Sequence, residues 1–143
     1  MSVSQNGWSV ITRTIGHEIA GVTIPLRPGA AGRVLAEFAR AFHQRVERLK
    51  DVRDDWGYSY RKIGGSSSWS NHASGTALDL NSLRHAQGRR GTFSSTELAN
   101  LRRLLKEYPV IKWGGDYNST PDEMHFEIGV SRESLLRWLR SRK

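Results

Sequence analysis

The feature that most constrains the fold is a strong helical pattern at residues 94–108, which lies among short segments of strand character. Apolar residues recur at the spacing of one helix face, at Leu98, Leu101, Leu104 and Leu105. Ser94 and Glu97 have the spacing of a capping box, and Pro109 closes the helical pattern. The chain therefore contains an amphipathic helix with one buried stripe.

Helices and strands alternate through the rest of the chain. Residues 30–50 and the segment that begins at Ser131 predict two further helices from the same apolar spacing. Short β-forming runs at residues 76–80, 110–113 and 125–128 predict strands. Because these strands are short and irregularly spaced, the sequence favours an α+β domain with a central antiparallel sheet flanked by helices over a wound parallel sheet.

Length and composition limit the classes to which the protein can belong. The chain has 143 residues, so we expect one domain over 1–143, with its motif-bearing core at about 57–130. It has no cysteine, which excludes disulfide scaffolds, thiolate metal sites and cysteine nucleophiles. No apolar run reaches the roughly 18 residues of a membrane span, and residues 1–8 lack the apolar core of a signal peptide. We therefore expect that the protein is made in the cytoplasm and does not insert into a membrane.

The chain is basic, with a formal net charge of +8. A basic surface attracts anionic partners, which include nucleic acid, anionic lipid and cell-wall polymers. Arg84, Arg89 and Arg90 form only a local cluster, which we interpret as a solvated loop, and no nucleic-acid-binding motif accompanies it. We therefore expect no nucleic-acid partner.

Residues 70–80 contain one candidate metal site. His72 and Asp79 flank a run of small residues that includes Gly75. A turn at Gly75 followed by a strand could bring both side chains to one point, and zinc accepts imidazole nitrogen and carboxylate oxygen.

A second segment, residues 122–127, supplies another imidazole. His72, Asp79 and His125 together would leave the fourth tetrahedral position of zinc free for water. A nearby carboxylate could take a proton from that water, and the candidates are Asp122, Glu123 and Glu127. Residue chemistry alone does not choose among the three carboxylates. A competing interpretation is that each histidine is a hydrogen-bonded structural residue and that Asp79 caps a turn.

Three short patterns in these segments resemble one family. The pattern S-x-H-x-x-G-x-A-x-D at residues 70–79 resembles the signature of VanY-like zinc peptidases, which include D-Ala-D-Ala carboxypeptidases and L-alanyl-D-glutamate endopeptidases. D-x-x-H at residues 122–125 is similar to the second family signature, and W-G-G-D at residues 113–116 resembles the segment that precedes it. The resemblance runs from about Arg61 to Ile128 and implies a small α+β fold of the DD-peptidase or hedgehog type.

The resemblance also implies roles for individual residues. His72, Asp79 and His125 match the Zn²⁺ ligands, and Asp122 matches the general base. Arg61 matches the arginine that stabilises the oxyanion, although Tyr58-Ser59-Tyr60 departs from the usual Gly-Tyr-Arg of the family, so that Arg53 is an alternative.

Three further residues are candidate substrate contacts. Ser70 matches a family position that helps to bind substrate or to orient the site. Asp116 orients a metal ligand, contacts substrate, or only fixes the turn at residues 114–115. Trp69 could line the groove beside the first signature.

The expected function is zinc-dependent hydrolysis of peptidoglycan stem peptides. Asp122, where many carboxypeptidases have Glu, resembles the endopeptidase branch of bacteriophage endolysins, which implies cleavage of the L-Ala–D-Glu bond. The alternatives are a D-Ala-D-Ala carboxypeptidase and a non-catalytic, zinc-containing wall-binding module. We expect a monomer that is made in a host bacterium and acts on the wall after release.

Overall fold

The computed structural model describes residues 2–50 and 53–142, where three helices flank two antiparallel sheets. The helices are α1 (Ala30–Arg45), α2 (Ser95–Glu107) and α3 (Arg132–Ser141). One sheet is a hairpin of β1 (Ile15–Ile19) and β2 (Val22–Leu26), and the other orders β3 (Ala77–Asp79), β5 (His125–Ile128) and β4 (Ile111–Trp113) as β3-β5-β4. This confirms the predicted α+β class with an antiparallel sheet.

The ends of the predicted domain, Met1 and Lys143, lie outside the described residues, as do residues 51–52. Across the part that is described, no helix has the length and apolar character that crossing a bilayer requires.

The pattern at residues 30–50 predicts a longer helix than the structure shows, since α1 ends at Arg45. The His43 ring accepts a hydrogen bond from the Leu49 backbone N–H at 2.9 Å, which holds the chain in a turn after the helix. Val46 and Leu49 are nevertheless buried, since this turn covers the same core as the helix. The apolar spacing therefore extends beyond the end of the helix, because the turn that follows also buries apolar residues.

The two other helices begin where the capping residues predict. Ser94 and Glu97 exchange both hydrogen bonds of a capping box at α2, at 3.1 and 3.0 Å. The Ser131 hydroxyl accepts from the Ser134 N–H at 3.2 Å at the start of α3. Each cap satisfies a backbone donor that would otherwise lack a partner in the first turn.

The core lies between α1 and the three-stranded sheet. Phe126 of β5 packs against Phe38 and Phe42 of α1, with ring centroids 5.0 and 5.6 Å apart. All three rings are fully buried. This contact fixes one face of β5 against the core and leaves the opposite face of the strand for other residues, because side chains alternate along a strand.

Candidate metal and catalytic site

The register of β3 against β5 brings two distant segments together. Asp79 pairs directly with His125, and Ala77 pairs with Glu127. Residues opposite each other in an antiparallel pair project to the same face of the sheet. Asp79, His125 and Glu127 therefore share the face that points away from the aromatic core.

A short 3₁₀ turn, Asn71–Ser74, delivers the second imidazole. The Ser70 hydroxyl caps this turn by accepting from the His72 N–H at 3.1 Å. Gly75 then reverses the chain with φ +67°, and a Cβ at this position would lie 2.5 Å from the Arg27 backbone nitrogen. Glycine is required here both by the left-handed backbone and by the close approach of Arg27.

The three predicted ligands converge on one point. His72 Nε2 lies 3.3 Å from Asp79 Oδ2, and His125 Nδ1 lies 3.1 Å from Asp79 Oδ1. One ligand atom from each of the three residues lies within 4.8 Å of the others. Two imidazole nitrogens and one carboxylate form a donor set that suits zinc.

The remaining nitrogen of each imidazole is occupied by another acceptor. His72 Nδ1 donates to the Gly57 carbonyl at 2.7 Å, and His125 Nε2 donates to Glu127 Oε1 at 2.7 Å. Such outer hydrogen bonds fix the tautomer and ring orientation of metal-binding histidines. The Tyr117 hydroxyl also donates to Glu127 Oε1, at 2.6 Å. The candidate site thus has the supporting contacts that metal-binding histidines use, as well as the three candidate ligands.

The charges at this cluster shift several pKa values. Burial raises the pKa of Asp79, but hydrogen bonds from His125 and His72 outweigh it and hold the value well below the ordinary range. Burial lowers the pKa of His125, but Asp79 and Glu127 raise it to about 9. Asp79 is therefore anionic at neutral pH, as a metal ligand must be.

Asp122 lies beside the cluster in a turn that precedes β5. The His125 N–H donates to the Asp122 carbonyl at 3.1 Å, and the Asp122 N–H donates to the Gly114 carbonyl at 2.9 Å. Asp122 Oδ1 is buried and has no hydrogen-bond partner among the described residues. Burial raises the pKa of Asp122, and the charge of Asp79 raises it further. A carboxylate with a free oxygen and a raised pKa is suited to accept a proton.

The other two candidate bases have different contacts. The Glu123 carboxylate turns away and accepts from the backbone N–H groups of Gly91 and Thr92, at 3.1 and 2.9 Å. Glu127 is occupied by His125 and Tyr117. Of the three carboxylates left open by the sequence, the geometry favours Asp122.

A groove of about 450 Å³ runs over the cluster. Arg61, Ser70 and Asp122 line it together with the three ligands, as the resemblance predicts. Arg53 is exposed and, in the described chain, lines neither this groove nor the cavities beside it. The structure therefore brings Arg61, and not Arg53, to the site.

Two predicted substrate contacts lie outside the groove lining. The Asp116 carboxylate forms a two-pronged ion pair with Arg102, with both distances 2.8 Å. The Trp69 ring packs on Tyr60, with centroids 4.8 Å apart, and Lys62 lies 5.2 Å from the Trp69 centroid. Neither Asp116 nor Trp69 lines the groove in the part of the chain that is described.

Sequence reasoning missed several residues of the site. The sequence places Glu127 only among the candidate bases, and it gives no signal for the Gly57 carbonyl. Gln5 and Gln87 line the groove from distant parts of the chain. The position of Glu127 two residues after His125 on one strand was the only local signal for its role, because the other contacts depend on tertiary structure.

Comparison with known families supports this interpretation of the site. Residues 64–128 match the family model described as D-alanyl-D-alanine carboxypeptidase. No curated protein and no solved structure matches the chain. The matched segment contains His72, Asp79, Asp122 and His125, and it begins after Arg61. The match supports a metallopeptidase that acts on peptidoglycan, and the cluster of His72, Asp79 and His125 fits a zinc site.

Proposed function

We propose that the protein is a zinc-dependent endopeptidase that hydrolyses the L-Ala–D-Glu bond of peptidoglycan stem peptides. The observation that carries this proposal is the convergence of His72, Asp79 and His125 beside the free carboxylate oxygen of Asp122. A binding module would need the three ligands, but it would not need a further carboxylate that lines the same groove.

The chain supplies a separate group for each requirement of peptide hydrolysis. A zinc ion held by His72, Asp79 and His125 would polarise the scissile carbonyl and lower the pKa of water to roughly 7. Asp122 takes the proton from the attacking water and passes it to the leaving amine. Because Asp122 Oδ1 makes no hydrogen bond among the described residues, this oxygen can accept the proton without first breaking another contact.

Arg61 is the proposed oxyanion donor. Its side chain lines the main groove and also a neighbouring cavity of about 430 Å³, so it lies between the two. A guanidinium cation aimed at the position where negative charge develops stabilises the transition state more than the ground state.

The choice of bond rests on two features. Position 122 is Asp, which the sequence resemblance associates with the endopeptidase branch. The two cavities share Arg61, His72 and Asp79 in their linings, so there is space for a peptide on both sides of the candidate ligands. An endopeptidase needs such a path, whereas a carboxypeptidase needs space for only one residue beyond the scissile bond. The description of the matching family model favours D-Ala-D-Ala cleavage as the second candidate.

The proposed role is that of a phage-type cell-wall lysin. The protein would be a monomer, made in the host cytoplasm, that reaches the wall after release. The net charge of +8 favours approach to anionic wall polymers. Two arginines of the local basic cluster are already used within the fold, since Arg84 pairs with Glu47 at 3.2 Å and Arg90 donates to the Tyr117 carbonyl at 3.1 Å. These contacts disfavour a nucleic-acid surface at this cluster.

The test is digestion of purified peptidoglycan by the zinc-loaded protein, followed by mass spectrometry of the fragments. We expect new fragments with D-Glu at the amino terminus and matching L-Ala ends. A chelator should prevent their release, and Asp122→Asn serves as the inactive control.

Other products would change the assignment. Loss of the terminal D-Ala alone would establish the carboxypeptidase on the same site. Intact peptidoglycan from several wall types, in the presence of bound zinc, would favour the wall-binding module.

A further inference from the structure

Trp56 is unusual among the tryptophans of this protein. All five lie in the described part of the chain, and Trp56 alone is exposed, with 54% of its surface accessible. A large aromatic ring gains free energy from burial, so an exposed ring at the edge of a groove offers an apolar face to a ligand.

The backbone places this ring next to the candidate metal site. The Trp56 N–H donates to the Asp79 carbonyl and the Asp79 N–H donates to the Trp56 carbonyl, both at 2.8 Å. Residues that exchange both hydrogen bonds in an antiparallel pair have side chains on the same face, with Cα atoms about 5.5 Å apart. Trp56 therefore projects from the same face as a candidate zinc ligand.

The indole is also oriented. Its Nε1–H donates to the Ser82 hydroxyl at 3.3 Å, which restrains rotation of the ring. Trp56, Tyr58 and Ser59 line the cavity of about 430 Å³ that meets the main groove at His72 and Asp79. The cavity and the groove share Arg61, His72 and Asp79 as lining residues, so the cavity lies beside the groove at the candidate ligands.

We propose that Trp56 forms a subsite for the amino-sugar ring to which the stem peptide is attached. This proposal rests on the proposed function and deepens it. The C–H face of a pyranose carries partial positive charge and stacks on the negative face of an aromatic ring. The open side of the Trp56 indole provides such a face next to the scissile-bond position.

The length of the peptide connects this subsite to the bond that is cut. Only L-Ala separates the sugar side of the stem from the L-Ala–D-Glu bond, and one extended residue spans about 3.5 Å. Four residues separate the sugar side from a D-Ala–D-Ala bond, a span of about 14 Å when extended. A sugar subsite one strand away from Asp79 therefore fits cleavage next to the sugar and does not fit cleavage at the far end of the stem.

The first test compares two substrates that differ only in the sugar. One is an N-acetylmuramyl tripeptide that begins L-Ala-D-Glu, and the other is the same tripeptide with an N-acetyl group in place of the sugar. We expect wild-type protein to prefer the sugar-bearing substrate, and Trp56→Ala to lower that preference in kcat/KM by about tenfold. Trp56→Phe, which retains a ring, should keep part of the preference.

Tyr60→Ala is the matched control, because Tyr60 is an exposed aromatic residue at 59% that lines neither cavity in the described chain. We expect Tyr60→Ala to keep the full sugar preference. An unchanged preference in Trp56→Ala, or an equal loss for both substrates, would overturn the subsite.

A binding measurement separates failure of this proposal from failure of the proposed function. N-acetylmuramyl-L-Ala-D-Glu and its sugar-free analogue are titrated into the Asp122→Asn variant, while the Trp56 indole N–H is followed by NMR. A shift caused only by the sugar-bearing compound supports the subsite even if no substrate is hydrolysed. The absence of any such shift contradicts the subsite even if the peptide bond is cut.

Discussion

Each imidazole of the candidate metal site uses its two nitrogens for different partners. His72 presents Nε2 to Asp79 and donates from Nδ1 to the Gly57 carbonyl, whereas His125 presents Nδ1 to Asp79 and donates from Nε2 to Glu127. To bind a metal ion the two rings would need opposite neutral tautomers, so His125 would have to release the extra proton that its raised pKa favours. Each outer acceptor selects the tautomer of its ring. The outer acceptors are as much a part of the site as the ligands.

Removal of one outer acceptor should weaken metal binding. We expect Glu127→Ala to lower zinc affinity by about 10- to 100-fold, since His125 loses the carboxylate that orients it and raises its basicity. Glu127→Gln should restore part of the affinity, because its amide oxygen can still accept from Nε2. Competition with a chromophoric chelator measures the affinity directly, without reference to activity.

Tyr117→Phe is the control for this change, because it removes only the hydroxyl that donates to Glu127. Its effect on zinc affinity should be smaller than that of Glu127→Ala. Unchanged affinity in Glu127→Ala would mean that His125 is held by the strand pairing alone.

The proton acceptor and the ligands should be separable by mutation. We expect Asp122→Asn to retain zinc and lose hydrolysis by about 100-fold or more, because the amide cannot take a proton from water. His72→Ala should lose both zinc and hydrolysis. Elemental analysis of the purified variants, together with the peptidoglycan digestion, distinguishes the two. Loss of zinc from Asp122→Asn would make Asp122 a ligand instead of a base.

At the scale of elements, the position of Asp122 depends on the 3₁₀ turn Gly114–Asp116. The turn approaches the segment before β5 so closely that a Cβ on Gly114 would lie 2.3 Å from the Asp122 carbonyl oxygen and 3.1 Å from the His125 Cβ. The glycine in this segment is therefore required by the packing of one element against another. Both contacts are separate from the pairing of β3 with β5 that brings Asp79 and His125 together.

A methyl group at this position should displace the base. We expect Gly114→Ala to lower kcat by about 100-fold, since misplacement of a catalytic group by about 1 Å has effects of that size. Steady-state kinetics and a urea unfolding curve measure activity and stability on the same sample.

Ser94→Ala controls for the loss of stability alone. It removes the α2 cap at a distance from the groove and should cost about 1 kcal/mol of unfolding free energy with no change in kcat. An equal loss of kcat in Ser94→Ala would show that Gly114→Ala acts only through stability.

At the scale of the whole molecule, a second group of buried acids affects stability. Glu47, Asp54 and Asp55 are all buried, and Asp55 Oδ2 has no hydrogen-bond partner among the residues described. Burial raises the pKa of Asp55 from 3.8 to about 6, with further contributions from the charges of Asp54 and Glu47. The folded protein therefore binds this proton more tightly than the unfolded chain does.

This difference makes stability depend on pH. The unfolding free energy should fall as pH rises from about 4 to about 6, by up to about 3 kcal/mol from Asp55. Asp55→Asn removes the charge and can still accept from the Asn81 N–H, so its stability relative to wild type should increase over the same range. Urea unfolding at the two ends of this range measures the change. A constant difference between the two proteins would show that Asp55 does not titrate in this interval.

Short-range sequence patterns predicted two of the helices and the candidate metal ligands. The apolar spacing and the caps at Ser94 and Ser131 predicted α2 and α3, since these interactions span three or four residues. The small residues between His72 and Asp79, followed by a strand, predicted a metal site because the chemistry of the ligands is a property of the residues themselves. The structure confirms that these side chains converge with His125.

Tertiary structure decided which groups support and surround the site. The register of β3 against β5 places Glu127 on the ligand face, and the loop before β3 brings the Gly57 carbonyl to His72 and the Trp56 ring beside Asp79. These contacts join segments that are far apart in sequence, so no local period or spacing encodes them. The end of α1 at Arg45 has the same cause, because apolar residues that follow the helical pattern can be buried by a turn as well as by a helix. The sequence by itself determined the candidate ligands and most elements, and long-range packing determined their orientation and the shape of the groove.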